Sequence, residues 1–231
     1  MTNKRSYTRH LPHEVPDGFP IFLTWNLKGA MPQAAIEKLF KERERLEKQP
    51  PRSGELIAAR KLREDKLIFA MADRFLDMAV DGPLHLKDPL AAKIVEDSIL
   101  FGAEERYALL AWCVMPNHVH VLLTPSWELK KITQGIKGFT AYEINSLQDA
   151  RGRIFWQDES YDHWARDEAE MLRIIEYIEN NPVAARLSQR RENWPWSSAR
   201  FRMEWRPGEP YRKKKDTIGG SELKPGVVKG G

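Results

Sequence analysis

Two histidines two residues apart, His118 and His120, are the side chains in this sequence best suited to metal chemistry. They lie in a run over residues 118–124 that is rich in β-branched and aliphatic residues and therefore predicts a strand. Side chains alternate between the two faces of a strand, so both imidazoles share one face and Val119 points to the other. Two neutral imidazoles side by side suit a divalent metal ion. The structural alternative is a hydrogen-bonded histidine pair on a half-buried strand.

A second set of polar side chains lies in residues 175–183, where Tyr177 and Asn181 are four residues apart. On a helix this spacing places the phenol hydroxyl and the amide on one face, so both could face a common site. The structural alternative is a tyrosine packed in an amphipathic helix that an asparagine caps at its end. Tyr161, in a segment predicted to be a loop, is the competing candidate for a nucleophilic tyrosine.

The elements that must position these residues are three strands and five helices. Strand patterns cover residues 21–27, 107–115 and 118–124, and the last two flank Pro116-Asn117, a natural tight turn for an antiparallel hairpin. Helical patterns cover residues 33–48, 54–80, 89–101, 128–147 and 168–180. Residues 150–166 are predicted to be a loop, and Asn181-Pro182 is predicted to end the last helix. This order predicts an α+β fold with helices on one face of an antiparallel sheet.

Length and composition set the broad class. A chain of 231 residues with 42% hydrophobic and 30% charged residues is typical of a soluble globular domain. No apolar run reaches the roughly 18 to 20 residues of a membrane span, so we expect no membrane partner and a cytoplasmic, nucleoid-associated protein. Cys113 is the single cysteine, which excludes an internal disulfide and a cysteine metal site. We expect one catalytic domain over residues 1–206, with a helical insertion at about 33–80, and a flexible basic tail at 207–231.

Positive charge is concentrated near the C-terminal end, although the net charge is only +4. Residues 186–215 hold ten Lys or Arg against three acidic residues, with three tryptophans and one tyrosine interleaved. This composition is typical of a single-stranded nucleic-acid surface, and equally of a solvated basic tail around core aromatic residues. The candidate nucleic-acid contacts are Trp194, Trp196, Lys130, Lys131, Lys137, Arg166 and Arg173.

Four motifs resemble the HUH endonucleases, in particular the REP-associated tyrosine transposases (RAYT), a branch of the single-tyrosine transposases of small bacterial insertion sequences. In chain order the motifs cover residues 115–123, 155–168, 175–183 and 194–199. The resemblance extends from about residue 20 to about residue 201. The long helical stretch at residues 33–80 is a departure from a compact family member, and its role stays open.

The resemblance implies a ferredoxin-like core in which His118, His120 and Asn181 hold Mg²⁺ or Mn²⁺. It implies that Tyr177 attacks single-stranded DNA, which gives a 5′-phosphotyrosine link and a free 3′-OH for later rejoining by transesterification. The implied substrate is a short palindromic repeat folded as a hairpin, and relatives work as monomers or homodimers. The alternatives are a DNA-hairpin-binding regulator that does not cut and an RNA-binding α+β module. The sequence identifies no base that would activate Tyr177.

Overall fold

The computed structural model describes residues 18–78, 82–158 and 160–212. The strands are β1 (Ile21–Asn26), β2 (Tyr107–Val114), β3 (His118–Pro125) and β4 (Tyr161–Trp164). The helices are α1 (Gln33–Lys48), α2 (Ile57–Asp77), α3 (Pro89–Phe101), α4 (Leu129–Leu147) and α5 (Glu168–Ala184). Among the described residues, none of these helices combines the length and the apolar character that a membrane span requires.

The four strands form one antiparallel sheet in the order β2-β3-β1-β4. The connection from β1 to β2 runs through α1, α2 and α3, and β3 lies between the two strands that it joins. The connection from β3 to β4 runs through α4 and skips β1 in the same way. This double split crossover is the ferredoxin-like arrangement. The predicted α+β class and antiparallel sheet are therefore confirmed, but the prediction that helices lie on only one face of the sheet is wrong.

Helices cover both faces of the sheet because β3 presents an apolar set on each side. Val119, Val121 and Leu123 join a buried cluster with residues of α3 and α4. On the opposite face, Leu122 packs with Ile175 and Ile178 of α5 in a second cluster, which Phe69 of α2 also contacts. His118 and His120 share the face of Leu122 by strand alternation. The two histidines therefore lie between the sheet and the helices α2 and α5.

Two predicted boundaries were wrong, each for a local reason. The predicted loop at residues 150–166 contains β4, which is only four residues long and is stabilised by pairing with β1, a long-range contact that local patterns do not show. Helix α5 continues past Asn181 to Ala184 and contains Pro182. Its last turn stays closed because the Ala185 N–H donates to the Asn181 carbonyl at 2.9 Å.

The predicted insertion forms a helical hairpin, in which α1 and α2 bury Leu39 and Leu46 against Ile68. Of the predicted tail, residues 207–212 are described, and the Tyr211 N–H donates to the Leu109 carbonyl of β2 at 2.7 Å. Residues 213–231 lie outside the described part of the chain. The domain boundary at residue 206 stays a prediction.

Candidate tyrosine and metal site

The histidine pair is completely buried, and its ring nitrogens converge. The Nε2 atoms of His118 and His120 are 3.1 Å apart, and both residues have 0% exposure. His118 Nδ1 lies 2.7 Å from Asn117 Oδ1, and Asn117 Nδ2 donates to the Leu76 carbonyl at 2.8 Å. Because the amide nitrogen is used in that second bond, the amide oxygen must accept a hydrogen bond from a protonated His118 Nδ1. The Nε2 lone pair of His118 is therefore available to a metal ion.

Strand pairing also holds the second imidazole. Thr24 of β1 lies directly opposite His120 of β3, and its hydroxyl oxygen is 2.7 Å from His120 Nδ1. Burial and the neighbouring His120 lower the pKa of His118 to about 3. His118 is therefore neutral at physiological pH, which is the form that binds metals.

A carboxylate from the insertion faces this pair. Asp73 of α2 is 2% exposed, and its Oδ1 lies 3.3 Å from His120 Nε2 and 3.7 Å from His118 Nε2. Burial alone would raise the pKa of Asp73, but the two imidazoles and the Tyr177 hydroxyl outweigh it and lower the pKa. Asp73, His118 and His120 form a buried cluster whose ligand atoms are close enough together to hold a metal ion.

Tyr177 and Asn181 reach the same carboxylate from α5. The Tyr177 hydroxyl donates to Asp73 Oδ2, and Asn181 Nδ2 donates to the same oxygen at 3.2 Å. The one-turn spacing on α5 therefore brings both side chains to one point, as the sequence predicted. Burial, the charge of Asp73 and this hydrogen bond raise the pKa of Tyr177 above its ordinary value. The phenol is a protonated donor at neutral pH.

Three buried acceptor oxygens at this site accept no hydrogen bond from the described residues: Oδ1 of Asp73, Oδ1 of Asp77 and Oδ1 of Asn181. Unsatisfied buried acceptors are costly, and a bound cation would satisfy them. Together with two imidazole nitrogens they form a mixed nitrogen and oxygen donor set, which fits Mn²⁺ and related divalent ions. Burial and the charge of Asp73 raise the pKa of Asp77 to about 7.

Sequence reasoning missed the two acidic residues of the insertion. Asp73 and Asp77 follow Phe69 at four-residue intervals, so all three lie on one face of α2. Acidic side chains on the same face as a core aromatic residue are unusual, since unpaired acids avoid burial. That pattern could have indicated a site.

The rival nucleophile Tyr161 belongs to β4 and lies nearby, but its ring packs into the core. It stacks on Phe69 of α2 with ring centroids 4.0 Å apart and is 9% exposed, against 38% for Tyr177.

The predicted DNA contacts are distributed over several surfaces. Lys130, Lys131, Arg166 and Arg173 are exposed. Lys137 is half-buried, and its ammonium donates to the carbonyls of Gln157 at 2.7 Å and Asp158 at 3.1 Å. Trp194 and Trp196 pack partly against the core. The Trp194 indole N–H donates to the Val114 carbonyl at 3.0 Å, so this edge of the ring has a structural partner.

The fold and the site together define a ferredoxin-like α+β protein with a histidine pair on the sheet and a tyrosine on the helix above it. Residues 93–181 match the family model described as "Transposase IS200 like", and this segment contains His118, His120, Tyr177 and Asn181. The resemblance to the single-tyrosine transposases is therefore confirmed over this part of the chain. The matched segment is less than half of the sequence and excludes the insertion.

Among curated proteins, no sequence matches this chain. One similar solved structure is a REP-associated tyrosine transposase bound to a REP hairpin, at 15% identity and a TM-score of 0.45, covering 97% of this chain and 100% of the other. Another is a proposed transposase from Deinococcus radiodurans R1, at 18% identity and a TM-score of 0.32, covering 78% of this chain and 98% of the other. Likeness at these TM-scores is too weak to transfer a function.

Proposed function

We propose that this protein is a metal-dependent nuclease and strand transferase that cuts single-stranded DNA with Tyr177, on palindromic repeats folded as hairpins. The observation that carries the proposal is the convergence of Tyr177 and Asn181 with the histidine pair around one carboxylate. The match of residues 93–181 to IS200-like transposases supports DNA as the substrate. Assignment to the REP-associated branch rests on the motifs at residues 155–168 and 194–199.

In the proposed reaction, Tyr177 Oη forms a bond to the phosphorus while the bond from phosphorus to the 3′ oxygen breaks. The tyrosine loses one proton and the departing 3′ oxygen gains one, so this transesterification consumes no water and no net proton. A divalent ion bound by His118, His120 and Asn181 would supply Lewis acidity to the non-bridging phosphate oxygens. Asn117 and Thr24 orient the two imidazoles for that ion through their Nδ1 atoms.

The proposal predicts a covalent protein–DNA adduct. Purified protein is incubated with a labelled single-stranded DNA hairpin from a repeat next to its own gene, with Mn²⁺, with Mg²⁺ or with EDTA, and run on a denaturing gel. We expect an adduct with Mn²⁺ or Mg²⁺ that EDTA abolishes. Tyr177→Phe should remove it completely because the variant lacks the hydroxyl that attacks the phosphate in this proposal.

Two tyrosine variants serve as controls for this experiment. Tyr142→Phe, on the exposed surface of α4, should leave the adduct unchanged. Loss of the adduct with Tyr161→Phe alone would move the nucleophile to β4. Tight hairpin binding without an adduct in any metal would instead support a DNA-binding regulator, and preference for RNA would support the RNA-binding class.

A further inference from the structure

The helical insertion contacts the candidate site at two independent points, although the matched transposase segment does not include it. One point is the Asp73 carboxylate, which faces the histidine pair. The other is the Leu76 carbonyl, which accepts from Asn117 Nδ2 and thereby fixes the amide that orients His118. Both residues belong to the last two turns of α2. The insertion therefore supplies one candidate ligand, the Asp73 carboxylate, and helps to orient another, the His118 imidazole.

The two oxygens of Asp73 face different partners. Oδ1 is 3.3 Å from His120 Nε2 and accepts no hydrogen bond from the described residues. Oδ2 accepts from Tyr177 and Asn181. A carboxylate can bind a metal through one oxygen while the other accepts hydrogen bonds, and such an arrangement fixes the orientation of both partners. Asp73 thus connects the donor set with the nucleophile.

We propose that the insertion is a working part of the nucleolytic centre, in which Asp73 binds the divalent ion through Oδ1 and orients the Tyr177 hydroxyl through Oδ2. This inference rests on the proposed function and adds an acidic ligand that the motifs at residues 115–123 and 175–183 do not contain. A carboxylate also complements the two imidazoles chemically, because hard divalent ions such as Mg²⁺ and Mn²⁺ prefer oxygen ligands. In this arrangement α2 is held on the sheet partly by the ion.

Packing supports a fixed position of α2 at this site. Phe69, one turn before Asp73, stacks on Tyr161 of β4 and lies against Phe22 of β1 with ring centroids 5.4 Å apart. Lys66, two turns before Asp73, donates to Glu170 of α5 at 2.6 Å. The carboxylate is therefore presented by a helix that contacts both the sheet and α5. Preorganised ligands of this kind cost little entropy when the metal binds.

The test uses full-length protein labelled with 3-fluorotyrosine and followed by ¹⁹F NMR without DNA. The chain has six tyrosines, and the Tyr177 signal is assigned by its loss in Tyr177→Phe. Mn²⁺ is paramagnetic, so its binding beside Tyr177 broadens that signal and gives an affinity. In Asp73→Asn we expect a shifted Tyr177 signal before metal is added, and about a 10- to 100-fold higher Mn²⁺ concentration for the same broadening. Glu64→Gln, on the same helix and paired with Arg60, should change neither.

An Asp73→Asn protein with the wild-type Mn²⁺ titration, or with an unshifted Tyr177 signal, would overturn the proposal. A retained ¹⁹F pattern for the other tyrosines shows that this variant is folded, and Asp73→Glu, which keeps the charge, should recover part of the Mn²⁺ affinity. Adduct formation by the wild type is measured in parallel. Normal Mn²⁺ broadening without any adduct would refute the nuclease function while the place of Asp73 in the metal site stands.

Discussion

Glu179 and Asp73 are two buried carboxylates of this molecule, and their surroundings differ. Glu179 of α5 is 1% exposed, and its Oε1 accepts from the Ser198 hydroxyl and from Arg202 Nε, each at 2.7 Å. We call these three residues the Glu179 cluster. Asp73 is buried to the same degree, but its Oδ1 faces two imidazoles and accepts no hydrogen bond within the described residues.

The difference fits a structural role for Glu179 and the proposed metal-binding role of Asp73. In the Glu179 cluster a cationic partner offsets the desolvation of the carboxylate, and Arg202 also donates to the Leu110 carbonyl at 3.1 Å. The cluster thereby ties the segment after α5 to β2. At the Asp73 site, Oδ1 of Asp73, Oδ1 of Asp77 and Oδ1 of Asn181 accept no hydrogen bond from the described residues. Arg202 Nη1 in the Glu179 cluster also has no hydrogen-bond partner among the described residues, so the comparison rests on the carboxylate oxygens and not on every polar atom.

The largest effect is expected from Glu179→Gln, which tests the structural role of the Glu179 cluster. This variant leaves the guanidinium of Arg202 buried without its counter-charge. Breaking a buried ion pair by removing one partner costs about 3 to 5 kcal/mol. We expect urea unfolding to show a loss of this size, while the folded fraction keeps its Mn²⁺ affinity. Glu176→Gln, an exposed position on the same helix, should stay within about 0.5 kcal/mol of the wild type. Equal stability of the two variants would mean that the cluster is not structural.

The sequence predicted the site on the sheet and on α5 because those residues follow local rules. His118 and His120 share a face through strand alternation, and Tyr177 and Asn181 share one through helical spacing. The family resemblance then supplied their roles, which stay proposals. The order of strand and helix patterns was also sufficient for the fold class.

The contribution of α2 could not be predicted in the same way. Asp73 lies 45 residues before His118 and 104 before Tyr177 in the chain, so only tertiary packing brings it to them.

Strand β4 was missed for the same reason, since four residues carry little periodicity and its pairing with β1 is non-local. Helix α5 passes Pro182 because only the last turn lies beyond it, where few helical hydrogen bonds remain to be lost.

A smaller effect is expected from Asn117→Ala, which tests whether the link from Leu76 of α2 through Asn117 to His118 contributes to Mn²⁺ affinity. The variant removes the acceptor for His118 Nδ1 and with it the preference for a free Nε2. Loss of such a supporting partner typically lowers metal affinity 10- to 100-fold, and isothermal titration with Mn²⁺ measures it. Asn145→Ala, at another buried asparagine, on α4, is the matched control and should leave Mn²⁺ affinity unchanged. Unchanged affinity in Asn117→Ala would contradict a role for Leu76 and Asn117.

The smallest effect concerns Glu170, a carboxylate that joins α2 to α5 and is fully partnered. Its Oε1 accepts from Lys66 at 2.6 Å and lies 3.0 Å from His163 Nε2, and its Oε2 accepts from the Arg166 N–H at 3.1 Å. Burial opposes the charge on Glu170, but these hydrogen bonds outweigh it and lower its pKa from 4.5 to about 2. Because both of its oxygens have partners, Glu170 should act as a structural acid.

A carboxylate with a depressed pKa in the folded state contributes stability above its unfolded pKa and loses it as the pH falls through the folded one. The contribution of Glu170 is therefore present at pH 5 and is lost progressively toward pH 2. We expect Glu170→Gln to be about 1 kcal/mol less stable than the wild type at pH 6, with the gap narrowing below pH 4.5 and closing near pH 2, as measured by urea unfolding. Its Mn²⁺ affinity at pH 7 should match that of the wild type. A gap that widens on acidification, or a loss of Mn²⁺ affinity as large as that of Asp73→Asn, would place Glu170 with the functional acids instead.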